Sequence, residues 1–179
     1  DIIFFFFFST ALKPKCVIDA VNHYYNDLCV NAHRGDYYLS YKVDVEIEDV
    51  RKEVSKFIDC EENEVAFTSG TTEGLNLAIM GYCKKILNKG DEILTSDWFW
   101  SPYVSISEEV ERKVSTYQLF DENNNFNFNS FRERFLDIAS RQERIFTILN
   151  TPAHNPTGYS VPDNDWDKMI STNLSGCFY

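Results

Sequence analysis

Basic side chains are scarce in this chain. Its 179 residues include 17 lysines and arginines but 28 aspartates and glutamates, so the formal net charge is −11 and the isoelectric point lies near 4.7. Proteins that bind nucleic acid present a basic face to the phosphates, and a chain this acidic has few side chains to form one. We therefore expect no nucleic acid among its partners.

Long hydrophobic runs are lacking too. A helix that spans a membrane needs about 20 consecutive apolar residues, and no segment of the sequence approaches that length. The apolar run at residues 2–8 is too short for a span, and it lacks the basic flank of a signal peptide. The sequence therefore predicts a protein that does not enter a membrane.

Closely spaced cysteines are also absent. The five cysteines include no C-x-x-C pair, and an odd number cannot all be joined within one chain. Neither a metal site nor a disulfide framework is indicated, and a reducing cytoplasm suits this pattern best. The cysteines are Cys16, Cys29, Cys60, Cys83 and Cys177.

Helical and strand-like patterns alternate along the chain, and a hydrophobic content of 44% is enough for a core. Apolar residues recur at helical spacing around residues 14–28, 47–57, 75–86 and 131–138, and a more polar helix is predicted at 104–113. Strand-like runs lie at 65–68, 92–95, 115–119 and 144–149. Short connections between alternating elements favour an α/β fold of three layers, α/β/α, with a mainly parallel sheet.

The first of two informative motifs is Thr68-Ser69-Gly70-Thr71-Thr72-Glu73-Gly74, called here the phosphate loop (residues 68–74). It follows a strand-like run and opens an amphipathic helix. The free N–H groups and the positive end of the helix dipole at such a position favour an anion, and a phosphate is the usual one. An ordinary helix cap is the alternative, because Ser and Thr are common there without any ligand.

The second motif is Asn150-Thr151-Pro152-Ala153-His154-Asn155-Pro156-Thr157-Gly158, called here the Asn155 turn (residues 150–158). It is a polar turn after an apolar strand, so the amide of Asn155 can point out of the sheet. A plain surface turn is the alternative, since Asn-Pro and Thr-Gly are common loop dipeptides.

Together the two motifs resemble pyridoxal 5′-phosphate (PLP) enzymes of the aspartate-aminotransferase fold type. Residues 11–96 resemble class V members of the cysteine desulfurase or selenocysteine lyase kind, through Asn31-Ala32-His33-Arg34-Gly35 and the phosphate loop. Residues 97–170 resemble class I/II aminotransferases, through Asp97-Trp98-Phe99-Trp100 and the Asn155 turn. The changeover lies at residues 90–96. Because a natural protein rarely changes subfamily inside one strand, this pattern predicts a chimera or a misassembled reading frame.

The resemblance implies a role for four side chains toward PLP. Thr71 and Thr72 hold the phosphate, Asn155 donates a hydrogen bond to the phenolic oxygen of the ring, and Trp100 stacks on the pyridine. Class V members place a stacking histidine near Trp100, and this chain has none there. For Trp100 the alternative is a core position, since it belongs to a dense aromatic cluster.

The resemblance also places His33 and Arg34 at the border of the active site, where an arginine binds the substrate carboxylate. The alternative is a structural loop in which the arginine pairs with an acidic residue. The implied organisation is an N-terminal arm and helix at residues 1–45 and a partial PLP-binding large domain at residues 46–179. A homodimer in the full-length parent and a small amino-acid substrate are implied as well.

No catalytic residue is expected in this chain. The family forms a Schiff base between PLP and a lysine, and Lys168 has no surrounding motif of that kind. The large domain is therefore expected to be incomplete and the chain inactive as given. Its parent reaction is desulfuration of cysteine or selenocysteine, or transfer of an amino group to a 2-oxo acid. The alternative is a non-catalytic or unstable α/β remnant that binds at most a phosphate-bearing ligand.

Overall fold

The computed structural model describes residues 12–33 and 35–176. The chain divides between Phe67 and Thr68 into two compact units. The sequence prediction places a boundary after residue 45, inside the long helix of the N-terminal unit. The assignment of residues 46–179 as one partial large domain stays a prediction.

The N-terminal unit is helical. Helix α1 covers Lys15–His23 and continues as a π-helical turn at Tyr24–Leu28, and helix α2 covers Tyr38–Ile58. A 3₁₀ turn follows at Glu62–Glu64. The only buried hydrophobic side chain among the described residues of this unit is Val43. Both helices therefore keep much of their apolar surface exposed.

The prediction of a strand at residues 65–68 was wrong. The backbone groups of Val65 are satisfied locally, because its N–H donates to the Glu62 carbonyl at 3.3 Å and its carbonyl accepts from the guanidinium of Arg51. The same guanidinium lies over the ring of Phe67, 4.9 Å from the centroid. A strand needs a hydrogen-bonding neighbour along its length. The apolar run has the composition of a strand, but among the described residues it has no neighbouring strand to bond with.

The C-terminal unit alternates helices and strands. A continuous helical segment runs through α3 (Thr71–Asn76), a π-helical part (Leu77–Cys83) and α4 (Lys84–Ile86). It is followed by β1 (Glu92–Ser96), α5 (Pro102–Glu109), β2 (Lys113–Tyr117), α6 (Phe128–Ala139), β3 (Phe146–Thr147) and α7 (Asp163–Gly176). The predicted elements of this unit are therefore present, with their ends shifted by a few residues.

The three strands form one parallel sheet in the order β2-β1-β3. The central strand is buried on both faces, and Ile93 and Leu94 are each 0% exposed. Successive side chains of a strand point to opposite faces. Ile93 accordingly packs in a cluster with Ile79 and Val110, whereas Leu94 packs in a second cluster with Phe131 and other side chains. The predicted three-layer α/β fold with a parallel sheet is confirmed.

Helix α5 ends earlier than the helix predicted at residues 104–113. Glu111 adopts a left-handed conformation (φ 57°), and the N–H groups of Val110 and Arg112 both turn back to the Ser107 carbonyl. The buried guanidinium of Arg112 donates to the carbonyls of Leu87 and Val110 near the ends of two helical segments. This turn brings the chain into β2 at Lys113, two residues before the predicted start. In the part of the chain that the structure describes, no helix has the length and apolar character to cross a membrane.

Candidate functional site

The predicted cofactor ligands all lie at the edge of the sheet where the strands end. Three loops leave this carboxyl edge: the Trp100 loop (residues 97–101) after β1, a loop at residues 118–127 after β2, and the segment with the Asn155 turn after β3. The helical segment that begins at Thr71 leads into β1 through the short turn at residues 87–91 and packs beside Ile93. It therefore runs antiparallel to β1, and its start lies at the same edge. Open α/β sheets bind ligands at this edge.

The phosphate loop presents Thr71 and Thr72 to solvent at the start of the helical segment. Gly70 precedes them with φ 156°, a backbone conformation that a Cβ atom would strain. The carboxylate of Glu73 accepts from the Ser69 N–H at 2.6 Å, and this bond lowers the pKa of Glu73. The first-turn N–H groups of a helix have no partner within the helix, so those of Thr71 and Thr72 can meet an anion.

The Trp100 loop is fastened to β2 and to the loop that follows it. The Asp97 N–H donates to the Tyr117 carbonyl at 2.8 Å, and the Asp97 carboxylate accepts from the Leu119 N–H at 2.9 Å. The half-buried ring of Trp100 meets Tyr103 edge-on, with centroids 6.0 Å apart. Trp98 is 52% exposed. Trp100 is thus the more firmly held of the two indoles.

The Asn155 turn is closed by its own backbone. The His154 N–H donates to the Tyr159 carbonyl at 2.7 Å, and the Gly158 N–H donates to the His154 carbonyl at 2.6 Å. Tyr159 also accepts, through its hydroxyl, from the Phe126 N–H at 3.1 Å, and its ring meets Phe120 edge-on. Asn155 itself is exposed at the tip of this closed turn. Its amide is therefore presented to solvent on a fixed backbone.

His154 is the polar residue of this edge that sequence analysis left without a role. Its side chain is buried, with Nε2 3.4 Å from Ser96 Oγ and Nδ1 2.9 Å from Thr157 Oγ1. Burial lowers the pKa of His154, and the Trp98 backbone and the charge of Asp97 offset only part of that effect. The lowered pKa therefore favours the neutral ring. Its place directly before Asn155 in a polar turn was the available signal.

The predicted substrate residues lie in the other unit or outside the described residues. The backbone N–H of His33 donates to the Asp44 carboxylate at 2.7 Å, and its Nδ1 lies 3.2 Å from the same oxygen. His33 is therefore paired with α2 inside its own unit, and its role toward substrate stays a prediction. Arg34 lies outside the described residues. Within the described ranges, no group of three or more His, Cys, Asp or Glu side chains is placed to hold a metal ion.

Comparison with known proteins gives a consistent result. The family model for class V aminotransferases matches residues 3–129. A protein of Pyrococcus abyssi named "Probable cysteine desulfurase" is 32% identical over 149 residues, which cover 81% of this chain and 34% of that protein. One of the same name from Vibrio cholerae is 36% identical over 111 residues, covering 59% of this chain and 28% of that protein. The chain thus spans about a third of the length of these relatives.

A solved structure resembles nearly the whole chain. The apo cysteine desulfurase from Thermococcus onnurineus NA1 superposes with a TM-score of 0.71 and 24% identity, over 93% of this chain and 40% of that one. At this identity the likeness shows the fold. The class V match continues past the predicted changeover at residues 90–96 as far as residue 129. The joining of two subfamilies stays a prediction.

Proposed function

Because the chain belongs to the class V aminotransferase family, whose cofactor is PLP, we propose that the carboxyl edge of its sheet is the cofactor site of a cysteine desulfurase-type enzyme. The proposal is supported by chain direction: Thr71 and Thr72 begin the helical segment that leads into β1, and Trp100 and Asn155 follow the carboxyl ends of β1 and β3. These four residues come from three separate segments of the sequence. The parallel strands and the antiparallel helix support a common position for them at one edge.

The residues fit the chemical parts of PLP. Thr71 and Thr72 offer hydroxyl and N–H donors at a helix start, which suits a dianionic phosphate. Trp100 offers a flat π-face for an aromatic ring, and the exposed amide of Asn155 offers a donor for a phenolate oxygen. When bound, PLP supplies an electron sink for a carbanion formed from an amino acid. The chain's own contribution is to hold and orient the cofactor.

We further propose that these 179 residues bind PLP without turning over an amino acid. The family chemistry needs a lysine that can reach the cofactor. Lys168, the lysine nearest in sequence after the Asn155 turn, is ion-paired with Asp165 at 2.8 Å on α7 and lies over the Phe128 ring. We expect no turnover of L-cysteine or L-aspartate by the chain alone. Product formation from either substrate would contradict this part of the proposal.

An aminotransferase is the second candidate. It is favoured by the Trp100 loop and the Asn155 turn, both of which resemble class I/II members, and it would explain an indole where class V members have a histidine. Under this proposal the chain joins parts of two subfamilies, as a natural hybrid or as a misassembled reading frame. The homodimer of the parent protein and its cytoplasmic location are part of either proposal.

Titration of the purified chain with PLP tests the cofactor site directly. Quenching of indole fluorescence reports binding, and circular dichroism with a melting curve shows that the chain is folded. We expect Thr71→Val and Thr72→Val each to weaken binding about tenfold or more, because a charge-assisted hydrogen bond is lost. Thr116→Val, at an exposed position on β2, is the matched control and should bind as the wild type does.

Two outcomes would overturn the proposal. One is a folded chain that does not bind PLP, and the other is equal weakening by all three threonine variants. Borohydride treatment adds a further distinction. If borohydride fixes the absorption band of the cofactor covalently to the chain, a lysine is linked to PLP as a Schiff base. That result would contradict the proposal that no lysine of this chain reaches the cofactor.

A further inference from the structure

His154 connects the Asn155 turn to the end of β1 through both of its ring nitrogens. Nε2 lies 3.4 Å from Ser96 Oγ, and Nδ1 lies 2.9 Å from Thr157 Oγ1. The residue is only 5% exposed, so water cannot readily replace either contact. The link joins positions 58 residues apart in the chain.

The neighbours of the imidazole determine which nitrogen carries the proton. The Ser96 hydroxyl donates its proton to the Trp98 carbonyl at 2.7 Å, so toward His154 it can only accept, and Nε2 must donate. On the other side, Thr157 Oγ1 accepts from the Tyr159 N–H at 3.3 Å and keeps its own proton to donate to Nδ1. A neutral ring with its proton on Nε2 satisfies all of these contacts.

We propose that His154 is a positioning residue: held as the neutral Nε2–H tautomer, it fixes the Asn155 turn against the Trp100 loop. The hydrogen bonds run in one direction, from the Tyr159 N–H through Thr157, His154 and Ser96 to the Trp98 carbonyl. The chain of bonds therefore begins in the segment that carries Asn155 and ends two residues before Trp100. It sets the spacing between the two side chains.

The consequence for PLP rests on the proposed function, whereas the hydrogen-bond chain does not. A proton added at Nδ1 would face Thr157 Oγ1, whose hydroxyl would have to turn away from the ring. Burial disfavours that proton, whereas the hydrogen bond with the Trp98 backbone and the charge of Asp97 favour the charged ring. The neutral form is thus consistent with the geometry.

Nuclear magnetic resonance of the cofactor-free chain tests the tautomer. In a sample with ¹⁵N-labelled histidine, one of the three histidines should show the Nε2–H tautomer near neutral pH, with a slowly exchanging ring proton. That signal should be missing from His154→Gln. An Nδ1–H tautomer, a charged ring or rapid averaging between tautomers would overturn the proposal. If His154→Gln does not fold, a selective shift of the same signal in Ser96→Ala provides the assignment.

A double-mutant cycle tests whether the imidazole transmits the link. Ser96 and Thr157 both contact His154, so coupling between Ser96→Ala and Thr157→Val is expected to pass through the ring. We expect each change to raise the equilibrium constant of unfolding about fivefold, and the pair to raise it by clearly less than the product. Ser105→Ala, whose hydroxyl bonds to the Pro102 carbonyl, is the matched control and should multiply with Thr157→Val. If the changes in the equilibrium constant of unfolding multiply strictly in both pairs, His154 does not link Ser96 to Thr157.

PLP affinity provides the readout of positioning. Ser96→Ala and Thr157→Val should weaken PLP binding about threefold to tenfold. In each variant the segments that carry Asn155 and Trp100 are no longer held at a fixed spacing. If the wild-type chain does not bind PLP, the proposed function fails while the tautomer result still tests the hydrogen-bond chain. If PLP binds both variants as tightly as the wild type, His154 has no positioning role even where the hydrogen bonds exist.

Discussion

The two edges of the sheet use their polar groups in opposite ways. At the amino edge, the carboxylate of Glu92 is 12% exposed and meets the Ser115 hydroxyl and the guanidinium groups of Arg134 and Arg141. The side chain of Gln142 bonds both the N–H and the carbonyl of Glu92, at 2.8 and 2.9 Å. At the carboxyl edge, Thr71, Thr72 and Asn155 are exposed.

This difference between the two edges assigns one to stability and the other to ligand binding. Polar groups that bond to each other within the chain contribute to folding, whereas exposed donors on a fixed backbone are available to a ligand. The amino edge therefore holds the strands and α6 together. At the carboxyl edge the hydrogen bonds of His154 are buried, whereas the donors of Thr71, Thr72 and Asn155 are exposed to solvent. Four predictions test this division, from the largest expected effect to the smallest.

Removal of the Glu92 carboxylate should give the largest loss of stability. In Glu92→Ala the free energy of unfolding should fall by about 1–2 kcal/mol, because two partly exposed arginines that also pair with Asp137 lose a largely buried partner. Urea denaturation measures this, and PLP affinity should be unchanged because the site is at the other edge. Glu133→Ala, at an exposed position on α6, is the control and should stay within about 0.5 kcal/mol of wild type. Equal losses in the two variants would contradict the assigned role of the amino edge.

The stability supplied by Glu92 should depend on pH. Burial alone would raise the pKa of Glu92, but the hydrogen bonds from Ser115 and Arg141 and the charges of Arg141 and Arg134 outweigh it and lower the pKa. A carboxyl group with a depressed pKa in the folded state stabilises the fold above its unfolded pKa, and this contribution is lost as the pH falls through the folded value. Near pH 7, Glu92→Gln should lower Tm by about 2–4 °C for each kcal/mol lost.

Melting curves at a series of pH values show whether this is correct. The difference in Tm between wild type and Glu92→Gln should be largest near pH 7. It should shrink as the pH falls below about 4.3, the usual pKa of an unfolded glutamate, and through the lower pKa of the folded carboxylate. A difference that stays constant down to about pH 3 would mean that the charge of Glu92 contributes nothing.

At the carboxyl edge, the two indoles of the Trp100 loop should behave differently. Trp100→Ala should weaken PLP binding about tenfold, because an aromatic contact worth about 1–1.5 kcal/mol beyond its buried area is lost. Trp98→Ala removes a side chain that is 52% exposed and should leave the affinity within about twofold. A direct competition assay with a pyridoxal analogue avoids dependence on indole fluorescence. A larger effect of Trp98→Ala would show that the wrong indole has been assigned to the cofactor.

The sequence predicted most of the fold. Its cofactor residues stay a prediction, and the buried contact of His154 beside them was not predicted. Helical spacing and short apolar runs located the elements of the C-terminal unit from α3 to β3, because burial of side chains such as Ile93 and Leu94 leaves a local pattern, whereas α7 was not predicted. The apolar run at residues 65–68 led to a wrong strand prediction, because composition does not reveal whether a segment has a neighbouring strand. The contact of His154 with Ser96 could not be predicted, because it joins residues that only the parallel sheet brings together.

Asn155 should give the smallest effect, and that effect should be limited to binding. Asn155→Ala removes one donor from an exposed side chain, so the free energy of unfolding should change by less than about 0.5 kcal/mol. PLP affinity should fall about fivefold, as expected for one neutral hydrogen bond, and the absorption of bound PLP should shift because its phenolic oxygen loses a donor. Asn123→Ala lies in another exposed loop at the same edge and is the matched control. If both variants weaken binding equally, the effect is one of general polarity at this edge. If only Asn155→Ala does so and its stability is retained, the exposed donors of the carboxyl edge serve the ligand and not the fold.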